Sequence, residues 1–175
     1  MNAILGGDFA SRINQNIREE KHWSYGARSM FIDAKGQRSF LLYAPVQGDK
    51  TKETLQELDM ELRGALGEKP FTDEELQQAK NNATLSLPGS FETKRAIAGA
   101  MQEIIAYGLP EDHFETYADR ISALTLADIT AAAQRVLDPD RVVWIVVGDA
   151  ATTEGPLSEL GWGPIRRIDA EGKPL

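Results

Sequence analysis

The chain contains no cysteine. That excludes disulfides, thiol nucleophiles and thiolate metal sites, and it leaves a reducing cytoplasm and a periplasm equally open. Histidine is almost as scarce. His22 and His113 are the only two, and they stand far apart in sequence. Two imidazoles share a zinc ion from one helix face only at a spacing of three or four, so no helical zinc pair exists in this chain. Long apolar runs are also missing. The longest, Val142 to Val147, falls far short of the roughly 18 residues that span a bilayer. Basic charge is in deficit, with 19 Lys and Arg against 27 Asp and Glu and a net charge of −8. An acidic surface repels phosphate backbones, so nucleic acid is not an expected partner.

What remains is sufficient for a globular domain. A chain of 175 residues with 42% hydrophobic content can bury roughly 70% of its unfolded surface. No repeat, low-complexity tract or long linker divides it, so residues 1–175 read as a single domain.

The local patterns alternate between helix and strand. Gly6-Gly7-Asp8 predicts a tight entry with Asp8 as N-cap, followed by a helix whose apolar face carries Phe9, Ile13 and Ile17. Residues 27–34 and 38–46 read as a β-hairpin turning at Asp33-Ala34-Lys35-Gly36. Asp49 is placed to cap a helix with a Leu55, Leu58, Leu62 and Leu66 stripe that stops at Gly67. Thr72 to Glu75 and Thr125 to Asp128 fit capping boxes. Between them, Pro88-Gly89 breaks a helix and Ser90 can restart it. The restarted helix carries a stripe of Ala96, Ile97, Ala100, Met101, Ile104 and Ile105. The continuous β-branched run from Arg141 to Val147 predicts a central strand covered on both faces, and Ile165 to Ile168 a short further strand. The expected fold is α+β, a two-layer sandwich of a small, mostly antiparallel sheet against several helices.

Few residues on this map suggest chemistry by type alone. Ser24 and Ser90 have no adjacent histidine and lie in no Gly-x-Ser-x-Gly elbow. Glu19, Glu20 and His22 form at most a solvated helix end. Gly6-Gly7 lacks the spacing and preceding strand of a phosphate loop. On composition, Arg18 is a dipole-complementing residue near a helix C-terminus and Tyr25 a packing residue at a strand start.

The words around those two residues carry a stronger signal. Leu5-Gly6-Gly7-Asp8-Phe9-Ala10-Ser11-Arg12 is followed by Ile17-Arg18-Glu19 and then by Ser24-Tyr25-Gly26. This run resembles the insulinase/pitrilysin family, the inverted-motif zinc peptidases, in the half that carries no zinc. Phe71-Thr72-x-Glu74-Glu75-Leu76, the Leu87 to Thr93 segment, Leu124-Thr125-x-x-Asp128 and Val147-Gly148-Asp149 extend the resemblance across most of residues 2–150. The resemblance implies a non-catalytic, substrate-binding C-terminal module facing a zinc-bearing module, which is supplied in cis or in trans. It implies that Arg18 and Tyr25, seven positions apart, bind the peptide substrate and stabilise the oxyanion. Zinc is then expected in the partner module, with no cofactor in this chain. An inactive structural or assembly module of the same fold is the alternative, and the presence of both Arg18 and Tyr25 favours the first.

The sequence departs from the family pattern in two places. Many relatives have Gly-Tyr before Ser-Tyr-Gly, where this chain has His22-Trp23. The family's module also begins with strands and a helix upstream of Leu5, so the chain is expected to lack its first strands and to expose a sheet edge. Such an edge invites a homo-oligomer or another partner.

Overall fold

The computed structural model describes residues 1–175. Seven helices surround one two-stranded antiparallel sheet, as expected for an α+β chain. A π-helical segment, Ala3–Gly7, comes first. Helix α1, Arg12–Asn14, runs on into a second π-helical stretch, Gln15–Glu20. Strands β1 (Arg28–Ile32) and β2 (Ser39–Tyr43) form the predicted hairpin. They pair from Arg28↔Tyr43 to Ile32↔Ser39, and Phe31 meets Phe40 at a ring separation of 5.2 Å. Helices α2 (Thr51–Leu66), α3 (Asp73–Leu85) and α4 (Lys94–Tyr107) follow. Then come α5 (Tyr117–Ala123), α6 (Leu126–Val136) and α7 (Ala150–Ser158).

Both capping boxes form. Thr72 accepts the Glu75 amide while Glu75 accepts the Thr72 amide, and Thr125 and Asp128 do the same. Each box satisfies two backbone donors that a helix start leaves unpaired. The Thr125 hydroxyl and amide hold the Asp128 carboxyl below its ordinary range.

The core lies in the first half of the chain and under α6. Ile4, Leu5, Ile13, Ile17, Leu58, Leu62, Phe71, Leu76, Ile129 and Ala133 are all buried in it. Gly6 explains how the first segment reaches this core. A Cβ at Gly6 would stand 2.6 Å from the Ser29 amide nitrogen, so only glycine lets Ala3–Gly7 lie directly on β1.

Several expectations at element ends need correction. Asp8 does not cap a helix; it closes Ala3–Gly7, and Ser11 takes the extended N-cap backbone before Arg12. Phe9 is consequently outside the helix and 67% exposed rather than on an apolar face. Lys50 stands at the N-cap of α2 because a 3₁₀ turn at Gly48–Lys50 absorbs Asp49. Thr93, not Ser90, restarts the chain into α4, since Pro88–Phe91 continues as a 3₁₀ turn. The α4 stripe exists, but no residue of that helix is fully buried.

The largest correction concerns Arg141 to Val147. It is extended but is not a central strand. No backbone hydrogen bond involves residues 142–147. Val142 and Trp144 rest on the core, whereas Val143, Ile145 and Val147 are 82%, 76% and 96% exposed. A β-branched run makes a strand only when a neighbour supplies its ladder, and neither strand of the hairpin pairs with it. Ile165 to Ile168 likewise forms only a single bridge, Ile168↔Pro174.

Candidate functional site

Arg18 and Tyr25 occupy the two sides of one turn. Arg18 lies in the π-helical stretch Gln15–Glu20, whose widened turn closes with the Lys21 amide on the Asn16 carbonyl at 3.0 Å. Such wide turns recur at functional positions. The Arg18 guanidinium sits 4.4 Å above the Phe9 ring, and its Nη1 is 3.3 Å from Glu19 Oε1. The side chain is only about one-third exposed. Phe9 is thus a platform for the cation. Helical spacing concealed this role, because Phe9, Ile13 and Ile17 fall at intervals of four; the Gly-Gly-Asp that precedes Phe9 is the signal for a different entry.

The chain leaves the helix through His22, whose φ of +58° is the only left-handed non-glycine backbone in the molecule. A Cβ is unfavourable in that region, so glycine would suit the position better. His22→Gly is therefore expected to raise stability by about 0.5–1 kcal/mol in urea unfolding, net of the His22 Nδ1 contact to the Arg18 carbonyl at 3.1 Å. A loss of stability would show that this contact outweighs the backbone strain.

Tyr25 is fixed by its neighbours and by nothing else. Ser24 Oγ donates to the Pro45 carbonyl at 2.5 Å and accepts the Gly26 amide at 3.0 Å. The Ala27 amide donates to Asn14 Oδ1 at 3.2 Å, and Asn14 Nδ2 donates to the Phe9 carbonyl at 2.7 Å. The Gln47 amide donates to the Trp23 carbonyl at 3.0 Å. The backbone on both sides of Tyr25 is therefore pinned, while its side chain is 102% exposed and makes no hydrogen bond in this chain. Buried Asn14 couples the Phe9 loop to the strand that follows Tyr25, a link that residue type alone did not reveal. No hydrogen bond joins Arg18 to Tyr25. They form two separate donors on one framework.

Arg12 holds this framework to α3. Its Nε and Nη2 grip both Glu75 oxygens at 2.6 and 2.7 Å, and it also donates to the Lys69 and Pro70 carbonyls. The guanidinium stacks on Phe71 at 4.9 Å. Burial pushes the Glu75 carboxyl up, but the Arg12 and Thr72 hydrogen bonds outweigh it and hold the group below its ordinary range.

Zinc does not fit this chain's residues. No group of three or more His, Asp or Glu side chains converges anywhere. His22 is turned to the Arg18 carbonyl and His113 is engaged by Arg120. The Ser24 hydroxyl donates to backbone, as does that of Ser90, so neither has a base to activate it. No helix is long and apolar enough to cross a membrane.

Comparison with known families and structures agrees with the α+β fold. The family model described as the peptidase M16 inactive domain matches residues 1–83. A peptidase M16 inactive domain from Pseudomonas fluorescens is 26% identical and superposes with a TM-score of 0.70 over 80% of this chain and 33% of its own. The inactive peptidase domain of a predicted zinc protease from Bordetella parapertussis is 24% identical, with a TM-score of 0.64 over 78% of this chain and 74% of its own. A protease from Helicobacter pylori is 16% identical and shares the fold, with a TM-score of 0.62 over 77% of this chain and 32% of its own. The chain therefore spans about a third of the Pseudomonas and Helicobacter chains and about three quarters of the Bordetella domain. No curated protein matches the sequence.

Proposed function

We propose, from the match of residues 1–83 to the model of the peptidase M16 inactive domain, that the chain is the non-catalytic, substrate-binding module of an M16 zinc peptidase. In this reading Arg18 holds a peptide carbonyl through its several donors. Tyr25 donates its phenolic hydrogen bond to the oxygen that gains charge as the peptide bond is attacked. The attacking group and the metal belong to a separate zinc-bearing module, in cis or in trans. This chain contributes binding and two hydrogen-bond donors.

The single observation that carries the reading is Tyr25. The phenol is unpartnered and fully exposed on a backbone anchored at Ser24, Gly26 and Ala27, so its hydroxyl is free to donate to a substrate oxygen. A pure scaffold gains nothing from it. The direct test is steady-state peptide cleavage by the assembled two-module enzyme with Tyr25→Phe. Unchanged turnover would favour the assembly-module alternative.

The exposed apolar surface supports a second, compatible proposal, that the chain self-associates. Residues 142–147 leave every backbone donor and acceptor without a protein partner, and Val143, Ile145 and Val147 stand in solvent beside them. Unpaired extended backbone with apolar side chains pairs readily with a second copy. Light scattering after size exclusion is expected to show a dimer or larger species, and Ile145→Lys to shift it to monomer. A monomer at all concentrations would contradict this proposal.

A further inference from the structure

The break between α3 and α4 opens a cleft of about 440 Å³. This lies within the roughly 300–1,000 Å³ range of small-ligand sites. Pro88–Phe91 makes the break, and the turn preceding α5 closes the opposite wall. Its aromatic side chains pack in a row along one wall. Phe91 and Phe114 meet edge to face at 5.5 Å and 70°. His113 stands against Phe114 at 5.0 Å and 83°, with Tyr117 at 6.4 Å from the imidazole.

The polar groups in this wall are mostly acceptors. Ser86 and Ser90 spend their hydroxyl protons on the Asn82 and Ser86 carbonyls, leaving lone pairs free. Arg120 Nη2 lies 3.3 Å from His113 Nδ1 and also donates to the His113 carbonyl at 2.9 Å. A guanidinium can only donate, so Nδ1 accepts and the ring proton stands on Nε2. Glu103 is the only carboxylate in the lining, no Lys or Arg lines it, and Glu103 forms no ion pair. Arg120 acts on the cleft only through His113.

We infer that this cleft binds an organic ammonium ion with an apolar body. The aromatic faces attract the cation by their quadrupoles, Glu103 supplies the countercharge, and the apolar wall takes the rest of the ligand. The site rests on neither Arg18 nor Tyr25. Two sources share the chemistry, a free amine and the side chain of a lysine in a peptide.

The test is calorimetric titration of the full chain with 2-phenylethylammonium, with the isosteric neutral 2-phenylethanol and with a blocked lysine amide. The expected result is binding of the ammonium at least about tenfold tighter than the alcohol. Glu103→Gln should remove that preference without moving the melting temperature, since Glu103 is exposed. Phe114→Leu should weaken binding by about two- to fivefold. Binding of the blocked lysine identifies a peptide side chain as the source, and binding of the free amine alone identifies a small molecule; both support the site. No ammonium binding, equal binding of the alcohol, or an unaltered Glu103→Gln would overturn it.

Discussion

Tyr25→Phe is expected to lower kcat of the assembled peptidase by about 10²–10³-fold while KM changes little. The substitution keeps the ring and removes only the hydroxyl. The side chain makes no contact with its own chain that could be lost, so a fall in kcat reports a hydrogen bond formed with the reacting peptide. Arg18→Ala is expected to act differently, mainly through KM, because a clamp on a carbonyl binds ground state and transition state alike. Lysine should not restore it, since an ammonium lacks the planar fork. Phe9→Leu removes the platform beneath that fork and should raise KM by about two- to fivefold, the size of an exposed cation–π contact. Single-turnover and steady-state kinetics on one fluorogenic peptide separate these three signatures.

Arg12→Ala is expected to destabilise the chain by about 3 kcal/mol in urea unfolding. The change removes the two-pronged Glu75 contact, two carbonyl hydrogen bonds and the Phe71 stack together. It also leaves the Glu75 carboxylate half-buried without its cation. The same pair sets an acid limit. The Glu75 carboxyl lies below its ordinary value of 4.5 in the folded chain, so its contribution is fully present above that value. It is lost as pH falls through the lower folded value. The stability difference between the parent chain and Arg12→Ala should therefore be constant near neutrality and shrink below pH 4.5. A difference independent of pH across that window would assign the loss to the carbonyl bonds and the stack alone.

Sequence patterns were most informative where structure is local. The Thr72 and Thr125 capping boxes, the hairpin and the Gly67 stop of α2 each depend on a few adjacent residues, and each forms. Patterns misled where a distant partner decides. The run from Val142 to Val147 has the composition of an interior strand, but strand formation needs a ladder, and none reaches it. The α4 stripe has correct helical spacing yet none of its residues is fully buried. Phe9 fits a helical interval and still lies outside the helix, because Ser11 rather than Asp8 precedes the first turn. Arg18 and Tyr25 stand out as candidates only through their neighbouring words. Their environment was not legible, since the Phe9 stack, the Asn14 link and the His22 backbone are tertiary features.

The central claim is that this chain holds the binding half of a peptidase site and needs a zinc-bearing module to act. The most direct measurement is cleavage of a peptide by the purified chain with zinc, by a zinc-bearing M16 module, and by the two together. The account predicts no cleavage by the chain, and turnover by the mixture that exceeds the zinc module alone and falls with Tyr25→Phe. Zinc-dependent cleavage by the chain alone, or a mixture indifferent to Tyr25, would contradict it.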